Sequence, residues 1–297
     1  MAKPQPLLPP PKKRHRVWQV REEIRQSPSQ PSPPDLELDK PWRKFDWGQK
    51  EALKQKLQNF SPSDPNVKDI KILVAGQIGA GKSSFINSIE SVFQGRICSR
   101  ALVNSSALKG FTIRSGDRTL PFIFKDIMGL EPEALAGSQP DGIISAVFGH
   151  VKDGYKFNEE QALTYKDQHY ISDPTLSDQA FCLVYVIDGN TVQFTDDKLT
   201  DKLKIIRQRI RIPQVVVMTK VDEACPLVRN DLRKIYTSKK IKEKMEMCST
   251  NTGVPMTNIF PVNEEIDTED DIDALILKAL EQIVQIANDR LLDCENY

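Results

Sequence analysis

Apolar positions recur along the chain at two periods. Short runs rich in β-branched residues occur at Ile70–Ala75, Phe181–Ile187, Gln214–Met218 and Asn258–Val262. Their nearly unbroken hydrophobicity predicts strands buried on both faces of a parallel sheet. Phe111–Arg114 and Pro121–Lys125 predict two more strands, joined by a turn at Ser115-Gly116-Asp117. Helical spacing appears in Gly48–Phe60 (Leu53, Leu57, Phe60), in Ser83–Phe93 (Phe85, Ile86, Ile89, Phe93) and at Leu199, Leu203, Ile206 and Ile210. It returns in Ile272–Leu292, where Leu275, Ile276, Ala279, Leu280, Ile283 and Ile286 form a stripe. Strands alternating with helices predict a three-layer α/β domain with a mainly parallel sheet. Lys202, Arg207 and Arg209 lie off their stripe and predict a solvated face. Asp267, Glu269, Asp270 and Asp271 open the last helix, where carboxylates suit the helix dipole without a metal.

The beginning of the chain has no such pattern. Ten of the 20 prolines lie in the first 41 residues, among Gln, Ser and Lys. So little apolar surface cannot offset ordering entropy, which predicts a disordered, Pro-rich basic tail over residues 1–40. Trp42, Phe45 and Trp47 then open a lead-in helix and linker over 41–66, and 67–297 makes the nucleotide-binding domain. Within the tail, Lys12-Lys13-Arg14-His15-Arg16 reads as a solvated basic segment, with a nuclear signal, an RNA contact or an acidic-lipid contact as alternatives. Val17, Trp18, Val20 and Ile24 could form a short amphipathic helix on an unidentified protein partner.

Composition narrows the class. The chain has 297 residues, 39% hydrophobic and 28% charged, with a formal net charge of zero. Residues 1–48 carry ten basic and six acidic groups, which leaves 31 and 35 in the rest and no general nucleic-acid signature. The five cysteines, Cys98, Cys182, Cys225, Cys248 and Cys294, show no paired spacing, so neither a zinc site nor a disulfide framework is expected and a reducing cytosol fits. Leu7-Leu8 is too short for a signal-peptide core, Phe181–Ile187 is too short to span a bilayer, and Ala2 excludes myristoylation at that position. The residues after Cys294 do not make a prenylation box. Any membrane contact is therefore expected to be peripheral or through a partner. His150 and His169 are isolated and read as structural, and Cys182 reads as core.

Three short motifs carry the chemistry. Gly76-Gln-Ile-Gly79-Ala80-Gly81-Lys82-Ser83-Ser84 follows the first strand and fits a phosphate-binding loop. Its backbone N–H groups can wrap a β-phosphate, Lys82 can reach the β- and γ-oxygens, and the Ser83 hydroxyl can ligate Mg²⁺. Asp126-Ile-Met-Gly129 closes a later strand. Its carboxylate can hold the same Mg²⁺ through water and the Gly129 N–H can meet the γ-phosphate, with a plain strand-end turn as the alternative. Thr219-Lys220-Val-Asp222 follows another strand. Asp222 can accept from the N1–H and 2-amino groups of guanine, a donor pair adenine lacks, and the Lys220 stem can lie along the base. An ordinary polar turn is again the alternative. Thr219 stands where GTPases more often carry Asn, which is expected to loosen the bonding between loops. Asn263, after the last strand, sits where a further base-contacting loop would lie, though a strand-end turn fits as well.

These motifs point to a G-domain-like P-loop NTPase fold binding GTP or GDP with Mg²⁺. Hydrolysis is less well supplied. Leu130 follows the D-x-x-G where a water-orienting Gln is common, and Ile78 is bulky where a catalytic arginine would approach. Ser105, Ser106 or Thr112 could give the first switch hydroxyl. A GTP-dependent switch with slow or partner-assisted turnover, a non-enzymatic scaffold on the same fold, and an ATP-using P-loop enzyme are the competing readings.

The full segment Gly76–Gly95, together with Arg100-Ala-Leu-Val103, Leu120-Pro-Phe-Ile123 before Asp126, Pro41-Trp-Arg-Lys44, Tyr155-Lys-Phe-Asn158 and His169-Tyr-Ile171, resembles the vertebrate interferon-induced protein 44 family. The resemblance covers about residues 41–292. It implies a GTP-binding, cytoplasmic, interferon-responsive protein associated with antiviral defence or restraint of proliferation. This chain departs from the family pattern in its Pro-rich start and in a shorter segment between Val103 and Phe111, while Thr219–Asp222 is more complete than in some relatives.

Overall fold

Alternate residues of the first strand, β1 (Ile70–Ala75), enter two different cores: Ile70, Ile72 and Val74 pack on one side, Leu73 and Ala75 on the other. This period of two makes β1 the middle of a three-layer structure. A computed structural model of the protein describes residues 36–101, 108–127, 130, 140–157, 163–194, 196–263 and 269–295. Residues 1–35 of the tail assigned to 1–40, together with Ser105, Ser106, Gly129, Asp267 and Tyr297, lie outside the described residues.

The helices are α1 (Lys50–Gln58), α2 (Lys82–Gln94), α3 (Pro140–Val147), α4 (Asp197–Arg209), α5 (Val221–Ala224), α6 (Pro226–Asn230), α7 (Lys239–Thr252) and α8 (Asp270–Glu295). The remaining strands are β2 (Lys109–Ser115), β3 (Arg118–Asp126), β4 (Cys182–Asp188), β5 (Gln214–Thr219) and β6 (Ile259–Pro261). They form one sheet in the order β2-β3-β1-β4-β5-β6, in which β2 pairs antiparallel with β3 and every other pairing is parallel. Gly116, at φ +59°, makes the tight turn between β2 and β3. Apolar stripes of α1, α2 and α8 cover one face, and those of α3, α4 and α7 cover the other. This is the predicted mainly parallel G-domain-like α/β fold.

The lead-in segment is locked onto the domain. Leu38 N–H donates to the Thr237 carbonyl at 2.8 Å, and Glu37 accepts from Lys234 at 2.7 Å, so contacts begin ahead of Pro41. Trp42 and Phe45 pack on the Tyr236 ring. The acidic start of α8 has partners as well as the helix dipole: Lys50 pairs with Asp270 at 2.7 Å and Asp273 at 2.6 Å, and Arg233 pairs with Asp271 at 2.7 Å. The α4 charges are only partly solvated, because Arg207 donates to the Gly253 carbonyl at 2.9 Å and Arg209 pairs with Asp141. No helix among the described residues is long and apolar enough to cross a membrane.

Candidate nucleotide-binding site

The parallel strands all end at one edge of the sheet, and β1 has neighbours on both sides there. The carboxyl edge beside such a reversal of strand order is where open α/β sheets hold ligands. Gly76 leaves β1 at this edge. A Cβ on it would meet the Val186 carbonyl oxygen at 2.2 Å, so only glycine lets the loop pass this close to β4. Gly79 and Gly81 hold φ of +78° and +89°, and Gly81 caps α2. Ala80 is buried between them, while Ile78 stands 58% exposed at the tip of the loop. Lys82 Nζ donates to the Gly76 and Gln77 carbonyls at 2.9 and 3.0 Å, which holds the ammonium inside the loop. Ser83 and Ser84 follow in the first turn of α2 and are half-buried.

Asp126 ends β3 opposite Val74 of β1. It is only 7% exposed, and its Oδ1 has no hydrogen-bond partner among the described residues. Burial lifts its carboxyl to about 6, against the opposing pull of the Lys82 charge. A buried carboxylate oxygen left without a partner is costly. The donor set of one carboxylate and the Ser83 hydroxyl suits a hard cation that keeps most of its waters and leans on phosphates, as Mg²⁺ does. A site of that kind needs no cluster of protein ligands, and among the described residues there is no group of three or more His, Cys, Asp and Glu placed to hold a metal.

Thr219 ends β5 and is buried. Its Oγ1 donates to the Ala80 carbonyl at 2.7 Å, with a longer contact to Ile187 O at 3.3 Å. Thr219 thus ties the end of β5 directly to the loop that follows β1. Lys220 holds φ +53°, and its Nζ donates to the Gly79 carbonyl and to Asp188 Oδ2, both at 2.9 Å. Asp222, in the single turn of α5, is half-buried, and its carboxylate makes no hydrogen bond or ion pair among the described residues. Asn263 lies half-buried just beyond β6. Leu130 is in the core, 2% exposed, with its N–H bonded to the Gly76 carbonyl at 3.1 Å. Thr112 lies within β2 at the sheet edge. Asp188 escaped the motif reading although it touches Lys220. The only sequence signal for it was a polar Asp-Gly-Asn turn after an apolar strand.

Fold and site together define a P-loop domain of the G-domain type. Interferon-induced protein 44 of Homo sapiens is 32% identical over 260 residues, covering 82% of this chain and 58% of that protein. The Mus musculus protein of the same name is 32% identical over 255 residues, 81% of this chain and 60% of that one. Human interferon-induced protein 44-like is 30% identical over 253 residues, 80% and 56% of the two chains. Over the matched span the chain belongs to the interferon-induced protein 44 family, and it spans a little under three fifths of the length of the human relatives. No protein-family model matches. A solved structure described as a probable GTP-binding protein engB aligns with a TM-score of 0.42 at 13% identity, over 74% of this chain and 99% of that one, a likeness too weak to bear on the ligand.

Proposed function

We propose that this protein binds guanine nucleotides and acts as a GTP-dependent switch in the interferon-induced innate immune and antiviral response, with slow or partner-assisted hydrolysis. The observation that carries this reading is the meeting of three groups at one sheet edge: Lys82 in a glycine-built loop, and the Asp126 Oδ1 and Asp222 carboxylate, neither of which has a partner among the described residues. The N–H groups of Gly76, Gly79, Ala80, Gly81 and Ser84 would surround the phosphates, with Gly129 reaching the third. Lys82 would exchange loop carbonyls for phosphate oxygens. Ser83 and Asp126 would hold Mg²⁺, which when bound neutralises phosphate charge. Thr219 and Lys220 fix the base loop to the phosphate loop, Asp222 reads guanine, and Asn263 flanks the base. Leu130 is buried as an apolar core residue, so no side chain at that position orients an attacking water. The interferon-induced and antiviral assignment and the cytoplasmic location come from the relatives' name and the family resemblance. The N-terminal tail and a switch ordered by GTP are the surfaces proposed for a protein partner.

The test is equilibrium titration of fluorescent GTP, GDP and ATP against the wild type and Lys82→Ala. Selective GTP and GDP binding that Lys82→Ala abolishes is expected. Equal affinity for ATP would overturn the guanine assignment, and no binding by the wild type would leave a scaffold that uses only the surface of the fold.

A further inference from the structure

Asp188 ends β4 directly opposite Thr219 of β5. Its Oδ2 accepts from Lys220 Nζ at 2.9 Å, and its Oδ1 accepts the Asn190 N–H at 2.7 Å, so both carboxylate oxygens are engaged. The next residue, Gly189, donates its N–H to the Thr219 carbonyl at 2.9 Å. A Cβ on Gly189 would sit 3.0 Å from that same oxygen, closer than side chains normally come. The third residue, Asn190, donates its side-chain amide to Glu223 at 3.2 Å. Three consecutive residues thus grip Thr219, Lys220 and Glu223, on both sides of Asp222.

The gripped segment needs the help. Lys220 is the one non-glycine among the described residues with a left-handed backbone, a conformation unfavourable for a residue that carries a side chain. Asp222 rides on a helix of four residues, far shorter than a helix that stands by itself. Reading a base through two parallel hydrogen bonds requires the acceptor to be held within a fraction of an ångström. Among the described residues the Asp222 side chain has no partner to hold it, so its position is set through the backbone on either side. The cations facing Asp188 are Lys220 and the buried Lys244, which donates to Gln193 at 3.0 Å and whose charged form Asp188 favours against burial.

We propose that the Asp188-Gly189-Asn190 turn is a specificity-determining clasp, in which Asp188 is a positioning residue that fixes Lys220 and through it the base-reading carboxylate of Asp222. The proposal rests on the guanine-nucleotide reading above and deepens it. Asp188→Asn keeps the shape of the side chain but removes the charge and one of its two acceptor oxygens.

Dissociation constants for GTP and ATP, measured on the full chain for wild type, Asp188→Asn and Asn190→Ala, test it. Thermal melts run alongside. Losing a charge-assisted bond should lower the ratio of GTP to ATP affinity about tenfold in Asp188→Asn, with ATP binding unchanged and faster GTP release. Asn190→Ala, which removes only the exposed 3.2 Å bond to the Glu223 carboxylate, should lower the ratio by about threefold. If both nucleotides weaken in parallel, or the ratio holds in both variants, Asp188 is merely structural and the clasp is wrong. Asn190 is half-exposed, so its variant decides the matter if Asp188→Asn does not fold. A wild type with no preference for GTP overturns the guanine reading and the clasp with it, whereas a selective wild type with unmoved variants overturns the clasp alone.

Discussion

Asp126→Asn should make the nucleotide-free protein more stable at neutral pH while weakening its binding of Mg²⁺ and nucleotide. Burial raises the Asp126 carboxyl from an ordinary 3.8 to about 6, and its Oδ1 has no partner among the described residues. Because the folded value lies above the unfolded one, the unfolded chain releases this proton first as the pH rises. Stability is therefore unaffected by this group below pH 4, falls between about pH 4 and 6, and stays lowered above that. A displacement of two units corresponds to roughly 3 kcal/mol at neutral pH, and to about half of that at pH 5. The amide of Asn needs a donor's partner in the same buried place, which reduces the net gain to about 1–2 kcal/mol. Urea denaturation of nucleotide-free wild type and variant at pH 7.5 and pH 5 measures both the gain and its pH dependence. A variant less stable than wild type at pH 7.5, or a gain that does not shrink at pH 5, would refute the view that Asp126 is held charged at a cost for a cation.

Thr219→Val keeps shape and strand propensity but leaves the Ala80 carbonyl without its 2.7 Å donor, so a loss of about 1–3 kcal/mol in denaturant unfolding and weaker nucleotide binding are expected. Gly76→Ala drives a methyl to 2.2 Å from the Val186 carbonyl oxygen, a backbone atom that cannot swing aside. Loss of nucleotide binding with destabilisation of about 1–3 kcal/mol should appear in titration and thermal melts. Leu130→Gln places an amide in the core, so it should lower the melting temperature without raising GTP turnover in a phosphate-release assay. A variant that turned over faster would show that Leu130 faces the nucleotide.

The periodicity of the chain was enough to locate the six strands of the described residues: near-continuous apolar runs mark β1, β4, β5 and β6 as buried on both faces, whereas β2 and β3 alternate. The helices α3 and α7 were harder to see. Lys239–Thr252 carries four lysines and few large apolar residues, although Ser238 caps its start and Gly253, at φ +72°, its end. Reading those two residues as punctuation would have found it. At the site, the glycines, Lys82, Asp126 and Asp222 were legible because phosphate and base chemistry fixes their spacing. Partners distant in sequence were not. Thr219 meets Ala80 across 139 positions and Lys220 meets Asp188 across 32, contacts that exist only because β1, β4 and β5 end side by side. Helix α1 likewise gives the acidic start of α8 its partner Lys50, 220 positions away.

The guanine assignment stands on the Asp222 carboxylate, and exchanging that group tests it most directly. An aspartate accepts from the 2-amino and N1–H groups of guanine, whereas the amide of an asparagine can donate to the 2-oxo group of xanthine. Competition titrations of GTP, ATP and XTP against wild type and Asp222→Asn should show GTP favoured over both by the wild type, and the preference moved from GTP to XTP in the variant. An Asp222→Asn protein that still prefers GTP as strongly as the wild type would contradict it.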